Sequence, residues 1–368
     1  MVAPAGQPVD LLSLKLDEIE QVLAQYDEPA YRARQLFKWL HGRGILDPLQ
    51  WSDLPQALRG KLAEIFKPPL TLAAMVGSED GSIKHAWRTQ AGHPVESVLM
   101  PGFDYGTVVC LSCHSGCPLA CRFCATGTMG LRARLSAGEM LAQLYEAERL
   151  GGEQAERAVI MGMGEALLNL DAVRRAVELL CHSAGRAWSP RRITISTVGL
   201  VKPLVTMADS FPRVNLGLSL HFTTAEKRAL YMPGAESQPA LLAEALYYFR
   251  RANGGKLTLE YLLLDKVNDS ERDAKRLAAF ANLAGLDRQA ELVLDANEHP
   301  EPSRQQPLPL HVNLIEYNPL PFVELRPSSE TQLNRFAAQL AAAGVPVSVR
   351  HSRGRDVAAA CGMLGLQL

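Results

Sequence analysis

No stretch of the 368-residue chain approaches the roughly 18 consecutive apolar residues of a membrane-spanning helix, which excludes a spanning protein. The N-terminus lacks a basic segment followed by an apolar one, so a cytoplasmic address is expected. Net charge is also scarce. Thirty-eight Lys and Arg against 39 Asp and Glu leave −1, and no global field announces a nucleic-acid partner. No internal repeat is evident. The seven cysteines are uneven in number and bunched, five of them between Cys110 and Cys124. That excludes a secreted disulfide framework and leaves reactive or metal-bound thiols. With 47 % hydrophobic residues the chain can bury the core of one large domain plus a small appendage.

The organising stretch is Cys117-Pro-Leu-Ala-Cys121-Arg-Phe-Cys124. Thiolates this close suit soft iron, most naturally an iron–sulfur cluster. A full 4Fe–4S set takes four cysteines and the tight run offers three, so one iron is left open to a small molecule. The alternative is a zinc knuckle completed by Cys113 or His114, although zinc sites more often pair cysteines as two separate C-x₂-C units. Charge is locally uneven: Arg122, Arg132 and Arg134 fall between Cys117 and Leu135 with no acid. Arg186, Arg191, Arg192, Arg350, Arg353 and Arg355 lie beside other motifs. Singly these are solvated or structural arginines; gathered at one mouth they hold phosphates.

In chain order, residues 1–9 read as a leader. Amphipathic helices follow at about Leu11–Tyr26, Glu28–Gly42 and Asp53–Phe66, making a helical domain over 1–68. After Pro68-Pro69 a β-rich connector spans 69–106, with short strands at Leu70–Val76, Ser82–Thr89 and Val95–Met100. From 107 to 350 strands and helices alternate, Ser136-x-x-Glu139 opening one helix as a capping box. About six β/α units predict an α/β fold with a partial, open (β/α)6 barrel and a small N-terminal helical domain. Within it 287–309, proline- and charge-rich, reads as a surface insertion. Residues 351–368 form a tail.

In parallel β/α folds the loops leaving the C-terminal strand ends build the site. The cysteine run follows strand Thr107–Leu111, Gly162-Met163-Gly164-Glu165 follows Ala158–Met161, and Ser196-Thr197 follows Arg192–Ile195. Ser219-Leu220-His221 follows Val214–Leu218 and Asn318-Pro319 follows His311–Tyr317. Five such coincidences predict one shared pocket. Each residue has a plainer reading: the glycines as a turn, Glu165 as a helix cap, Ser196 as a turn polar, His221 as a buried satisfied histidine, Asn318 as an Asn-Pro turn. The functional alternative has the glycines admitting backbone close to a cofactor, Glu165 meeting its ammonium, and Asn318 bonding ribose or adenine.

The cysteine spacing followed by Ala125-Thr126-Gly127 resembles the motif of the radical S-adenosylmethionine (SAM) superfamily. The order of motifs over nearly the whole chain is similar to one family within it, the RlmN and Cfr RNA methyltransferases, which methylate an adenine of 23S ribosomal RNA. Most telling is Arg355-Asp356-Val357-Ala358-Ala359-Ala360-Cys361-Gly362, similar to that family's tail motif with its reactive cysteine. The resemblance implies a partial radical SAM barrel and Cys117, Cys121 and Cys124 as ligands of a 4Fe–4S cluster. It implies SAM contacts at Gly164, Glu165, Ser196, Ser219, Leu220, His221 and Asn318. Glu96 matches the proton acceptor, and Cys110 the thiol that forms a transient disulfide with Cys361.

The implied chemistry has two stages. Adenine carbons are poor nucleophiles, so the Cys361 thiolate first takes a methyl group from one SAM. An electron, from a donor such as flavodoxin or ferredoxin, then lets a second SAM generate a radical that activates that methyl for addition to the ring. Glu96 removes the ring proton and Cys110 attacks Cys361 to free the RNA. Cys113 and Cys181 match no role and read as packing residues. Gly164-Glu165-Ala166 departs from the proline expected after the glutamate in the RlmN branch, and several stretches read closer to Cfr. C2 and C8 of adenine, and ribosomal and transfer RNA, therefore stay open. The alternatives are a radical SAM enzyme on another substrate and a non-catalytic iron–sulfur or zinc protein that binds RNA as a redox sensor.

Overall fold

The computed structural model describes residues 9–103, 106–285 and 310–365. Residues 1–8 of the expected leader and the 287–309 insertion lie outside the described residues. The chain opens with helices α1 (Leu16–Ala24), α2 (Tyr31–Phe37) and α3 (Gln56–Ile65). Each buries one stripe spaced three and four apart: Ile19, Val22 and Leu23; Ala33, Leu36 and Phe37; Leu58, Leu62 and Ile65. All three are shorter than their apolar periodicity. Leu11–Ser13 breaks off as a separate 3-10 turn, and α2 widens into a single π turn at Lys38–Gly42.

By contacts the chain divides into two compact units. The first draws on residues up to Pro118, on Ala125–Ile195 and on the tail from Arg353; the second on Leu119–Cys124 and Ser196–Ser352. In the first, β1 (Leu70–Gly77), β2 (Ile83–Thr89), β3 (Pro94–Phe103) and β4 (Gly106–Cys110) form an antiparallel run. A two-stranded ribbon follows, β5 (His114–Cys117) and β6 (Gly130–Arg134), with the short α4 (Ala125–Thr128) between them. β4 then pairs in parallel with β7 (Arg157–Ile160), and β7 with β8 (Ile193–Thr197). Helix α5 (Ala137–Gly151) precedes β7, and α6 (Leu170–Cys181) connects β7 to β8.

The capping box is present at the start of α5. Ser136 Oγ accepts from Glu139 N at 3.1 Å, and Glu139 Oε2 accepts from Ser136 N at 2.8 Å. Gly152 ends the helix at φ +74°, as a left-handed cap requires. The β5–β6 ribbon was not expected from the sequence pattern. His-Ser-Gly-Cys carries no β-branched or aromatic residue, and Gly116 sits at φ +76° where a Cβ would fall 1.9 Å from the Gly130 carbonyl oxygen. Glycine is demanded there by close approach of backbone, a requirement that periodicity does not report.

The second unit alternates strand and helix: α7 (Val201–Ser210), β9 (Asn215–Ser219), α8 (Ala225–Tyr231), α9 (Pro239–Ala252) and β10 (Leu257–Leu263). It continues through α10 (Glu271–Gly285), β11 (His311–Glu316), α11 (Glu330–Ala342) and β12 (Val347–Arg350). Strands β9 to β12 pair in parallel, around fully buried Leu216, Leu218, Leu259, Tyr261, Val312 and Leu314. The fold is mixed α/β with parallel strands joined by helices and a small N-terminal helical region, as expected. Among the described residues no helix is long and apolar enough to cross a membrane.

Candidate active site

In the first unit Glu96, Cys110 and the tail are brought together. Glu96 on β3 is 1 % exposed and pairs with Ala86. Cys110, the last residue of β4, stands opposite Val98, so by the two-residue period of a strand it shares a sheet face with Glu96. Cys110 packs in one apolar cluster with Val98, Met163, Ala359 and Leu364, the last two from the tail. Gly365 N donates to Glu96 Oε2 at 2.7 Å, and Lys84 Nζ lies 3.6 Å from Glu96 Oε1. Burial pushes the Glu96 carboxyl above its ordinary range, against the pull of the Gly365 N–H and Lys84. Burial likewise pushes the Cys110 thiol up to about 12, with Cys361 nearby adding to the shift.

The tail is fastened by polar contacts. Ala125 N donates to Gly362 O at 2.7 Å, Thr126 Oγ1 to Leu364 O at 2.8 Å and Gly354 N to Asp80 Oδ2 at 2.7 Å. Arg353 Nη1 donates to Pro101 O at 2.5 Å. Cys361 itself is exposed. None of the seven cysteines is in a disulfide, so no standing Cys110–Cys361 bond is present in this structure. Cys110 sits in an apolar cluster while Cys361 faces solvent, so in this structure both are thiols.

The first unit also carries Cys117, at the end of β5 and 8 % exposed, and the loop after β7. In that loop Gly164 has φ +109°, and a Cβ there would fall 2.3 Å from His114 Nδ1. Glu165 is buried and caps the turn Ala166–Asn169, its Oε1 accepting from Leu167 N at 3.1 Å. The plainer reading of Glu165 as a cap therefore holds. Ser112 ties this loop to the strands, its Oγ accepting from Met163 N at 2.8 Å and donating to Glu96 O. Gln143 of α5 brackets the Ser112 backbone with two bonds of 2.9 Å.

In the second unit Ser196 and Ser219 stand side by side at the ends of β8 and β9, Oγ to Oγ 3.2 Å. Leu220 is fully buried. His221 has φ +53°, and its Nδ1 accepts from Leu262 N at 3.1 Å. Burial, then the Arg228 charge, drives the imidazole down to about 3, so it is neutral at working pH. Asn268 Nδ2 donates to His221 O at 2.7 Å, and the edge of one ring meets the face of the other where Phe123 packs at 5.0 Å. Asn318 Nδ2 donates to Ser352 Oγ at 3.0 Å. Buried Cys121 and half-buried Cys124 share a turn, Cys124 N donating to Cys121 O at 3.2 Å.

Among the described residues no three His, Cys, Asp or Glu side chains are grouped as ligands of a single metal ion. A tetrahedral ion with bonds of about 2.3 Å sets its sulfurs roughly 3.8 Å apart, whereas thiolates on separate irons of a cube stand wider. Three soft thiols outside any disulfide are a donor set that fits such a cluster.

Sequence reasoning missed two residues. Lys84 on β2 is 4 % exposed beside Glu96, yet a lone strand lysine reads as solvent-facing, and only the β2–β3 register would have shown otherwise. Arg228 on α8 is fully buried and donates to Leu220 O at 2.5 Å, Val198 O at 2.7 Å and Glu236 O at 2.7 Å. No local signal marked it, because α8 is only seven residues long.

Residues 111–278, which include the cysteine run and the loops after β7, β8 and β9, match the model of the radical SAM superfamily. Residues 9–67 match the ribosomal RNA large subunit methyltransferase N-terminal domain. The chain is 37 % identical to the probable dual-specificity RNA methyltransferase RlmN of Heliobacterium modesticaldum, over 97 % of this chain and 90 % of that one. It is 39 % identical to the dual-specificity RNA methyltransferase RlmN of an Anaeromyxobacter species, over 99 % and 92 %. A crystal structure of a radical SAM methyltransferase from Sphaerobacter thermophilus superposes with a TM-score of 0.85 at 38 % identity, covering 97 % of this chain and 99 % of that one. The fold and the site thus define a radical SAM protein. Within that superfamily, the chain belongs to the RlmN family.

Proposed function

We propose that this protein is a radical SAM methyltransferase that methylates an adenine carbon of RNA, C2 or C8, through a methyl group carried on Cys361. Cys117, Cys121 and Cys124 hold a 4Fe–4S cluster, which when bound supplies the one-electron reduction of SAM. Glu165 offers carboxylate to the ammonium of SAM, Gly164 leaves the backbone bare beside it, and Ser196 and Ser219 offer paired hydroxyls. Leu220, His221 and Asn318 complete the SAM contacts. The neutral imidazole suits this: with Nδ1 spent on Leu262 N, Nε2 carries the hydrogen and is a donor.

Cys361 takes a methyl group by displacement at carbon, and its exposure on the tail gives it access to both cofactor and RNA. Cys110 is kept as a thiol by burial, out of competition for that methyl. Once the methyl carbon is bonded to the ring, Glu96 takes the ring proton. Cys110, as thiolate after giving up its proton, then attacks the sulfur of Cys361. The sulfur–carbon bond breaks with its electron pair going to the carbon, which takes a proton and becomes the product methyl group. The resulting disulfide is reduced by two electrons before the next cycle. The substrate is ribosomal or transfer RNA and the electron donor is of the flavodoxin or ferredoxin class.

The observation that carries this reading is the convergence on one face of β3 and β4 of a buried carboxylate, a buried thiol and a tail bearing a second thiol. Cys110→Ala protein expressed with iron supplementation is expected to carry RNA covalently bound through Cys361. RNA-free protein under those conditions would overturn the thiol-exchange step, and nucleoside mass spectrometry of total RNA identifies the carbon.

A further inference from the structure

Lys84 is a buried charge that the reaction above does not use. In the antiparallel register Ala86 faces Glu96 and Lys84 faces Val98. Lys84 and Glu96 are therefore diagonal neighbours on one sheet face, close enough for a long side chain to reach across. Their side chains are 4 % and 1 % exposed and the ammonium is 3.6 Å from Oε1. Taking both charges out of water costs several kcal/mol per ion, and an apolar pair of the same volume would often serve stability equally well. A strand that only had to fold would gain little from this pair.

We propose that Lys84 is a positioning residue that keeps Glu96 ionised in a dry site, so that the carboxylate is ready to accept the ring proton. The inference rests on Glu96 being the base of the reading above. Before the transfer the pair is neutral overall. In the transfer the carbon–hydrogen bond breaks, its electron pair returns to the ring and the proton goes to a Glu96 oxygen. Lys84 is then a buried cation beside a neutral acid, and its charge favours giving the proton up again. Without Lys84, burial of Glu96 is opposed only by the Gly365 N–H, which shifts the carboxyl further toward its protonated form, so the adduct resolves more slowly and recovers as the pH is raised. The groups facing Glu96 are Lys84 from β2, the Gly365 N–H from the tail and, along the same face, the Cys110 thiol on β4. Ser112 meets only its backbone carbonyl.

The test uses full-length protein purified after iron-supplemented expression and compares wild type, Lys84→Met, Lys84→Arg and Glu96→Gln. Each is digested with nuclease and the adenine adduct on Cys361 is weighed by mass spectrometry. Lys84→Met and Glu96→Gln are expected to carry the adduct, wild type and Lys84→Arg little or none. The purified adducts are then shifted from pH 7 to pH 9. The Lys84→Met adduct should resolve, its rate rising up to tenfold per pH unit as one carboxyl deprotonates, while the Glu96→Gln adduct stays. Because Cys110 is intact in both, release driven by that thiol alone would appear in both.

A Lys84→Met protein that folds and accumulates no adduct overturns the proposal, as does an adduct that persists at pH 9 like that of Glu96→Gln. Should Lys84→Met not fold, Lys84→Arg with an adduct as abundant as that of Glu96→Gln overturns it equally. If Glu96→Gln itself carries none, the base assignment fails, a different outcome from failure of Lys84 alone.

Discussion

On the proposed reading, the reactive face of the first unit and the SAM-contacting loops of the second are furnished in opposite ways. On β3, β4 and the tail, a carboxyl and a thiol are buried with their ionisation disfavoured, and Cys361 sits exposed on a segment held by a handful of exchangeable hydrogen bonds. In the loops after β8 and β9, the polar groups are tied to backbone: His221 to Leu262 and Asn268, and Arg228 to three carbonyls. On the proposed reading, the groups that change covalent or protonation state are a buried carboxyl and a buried thiol, with one exposed thiol on the tail. Groups that only bind are fixed in advance, which reduces the ordering cost of binding.

That contrast predicts that the second unit's loops fail structurally when cut, whereas the first unit's face fails chemically. Arg228→Met is the largest expected break. It strips one buried carbonyl, Leu220 O, and two part-buried ones, Val198 O and Glu236 O, of their donor, and a buried one costs about 1–3 kcal/mol when orphaned. A loss of about 3–5 kcal/mol in chemical denaturation is expected, together with weakened SAM binding by calorimetry. A variant with unchanged midpoint and slope would show that water replaces the guanidinium and that the loops are not clamped.

The distinction was only partly legible in the sequence. The alternation of period-two and period-3.6 runs revealed the strands from β7 to β12 and the helices between them other than α8. The motif-bearing loops were found because cysteine, glycine and histidine collect after strands. What the sequence hid were partners distant along the chain. Lys84 meets Glu96 only through the β2–β3 register, and Gly365 meets it across 269 positions. Arg228 sits on a helix too short for a periodic signal, and the β5–β6 ribbon depends on a glycine contact.

A second, smaller effect sharpens the comparison through pH. His221 is neutral in the folded state with a value of about 3, while an unfolded imidazole titrates near 6.5. Below 6.5 the unfolded chain therefore binds the extra proton and stability falls as pH falls, by about 1.4 kcal/mol per unit for this one group. His221→Asn keeps a side-chain oxygen to accept from Leu262 N but cannot titrate. Its stability difference between pH 7 and pH 5 is expected to be smaller than that of wild type by about 2 kcal/mol. Equal differences would mean that the imidazole is not held neutral by burial.

The smallest effect concerns the tail itself. Asp356 is at the surface, where Oδ1 accepts from Ser78 Oγ at 2.6 Å and Oδ2 from Glu79 N at 3.1 Å. These bonds hold its carboxyl below the usual carboxylate range, the Ser78 hydroxyl contributing most. A depressed folded value means that the contribution is present above the ordinary carboxylate range and lost as pH falls through the folded one. Asp356→Asn retains an acceptor but weakens the charge-assisted bonds, so the tail should open more often without the unit melting. Hydrogen exchange at the Ala359 amide, which donates to Gly354 O at 2.7 Å, is expected to speed up by roughly two- to threefold, the scale of one exposed contact. Exchange that rises equally in β3 and β4 would instead mean that tail and sheet open together, and that Cys361 is not carried on an independently moving segment.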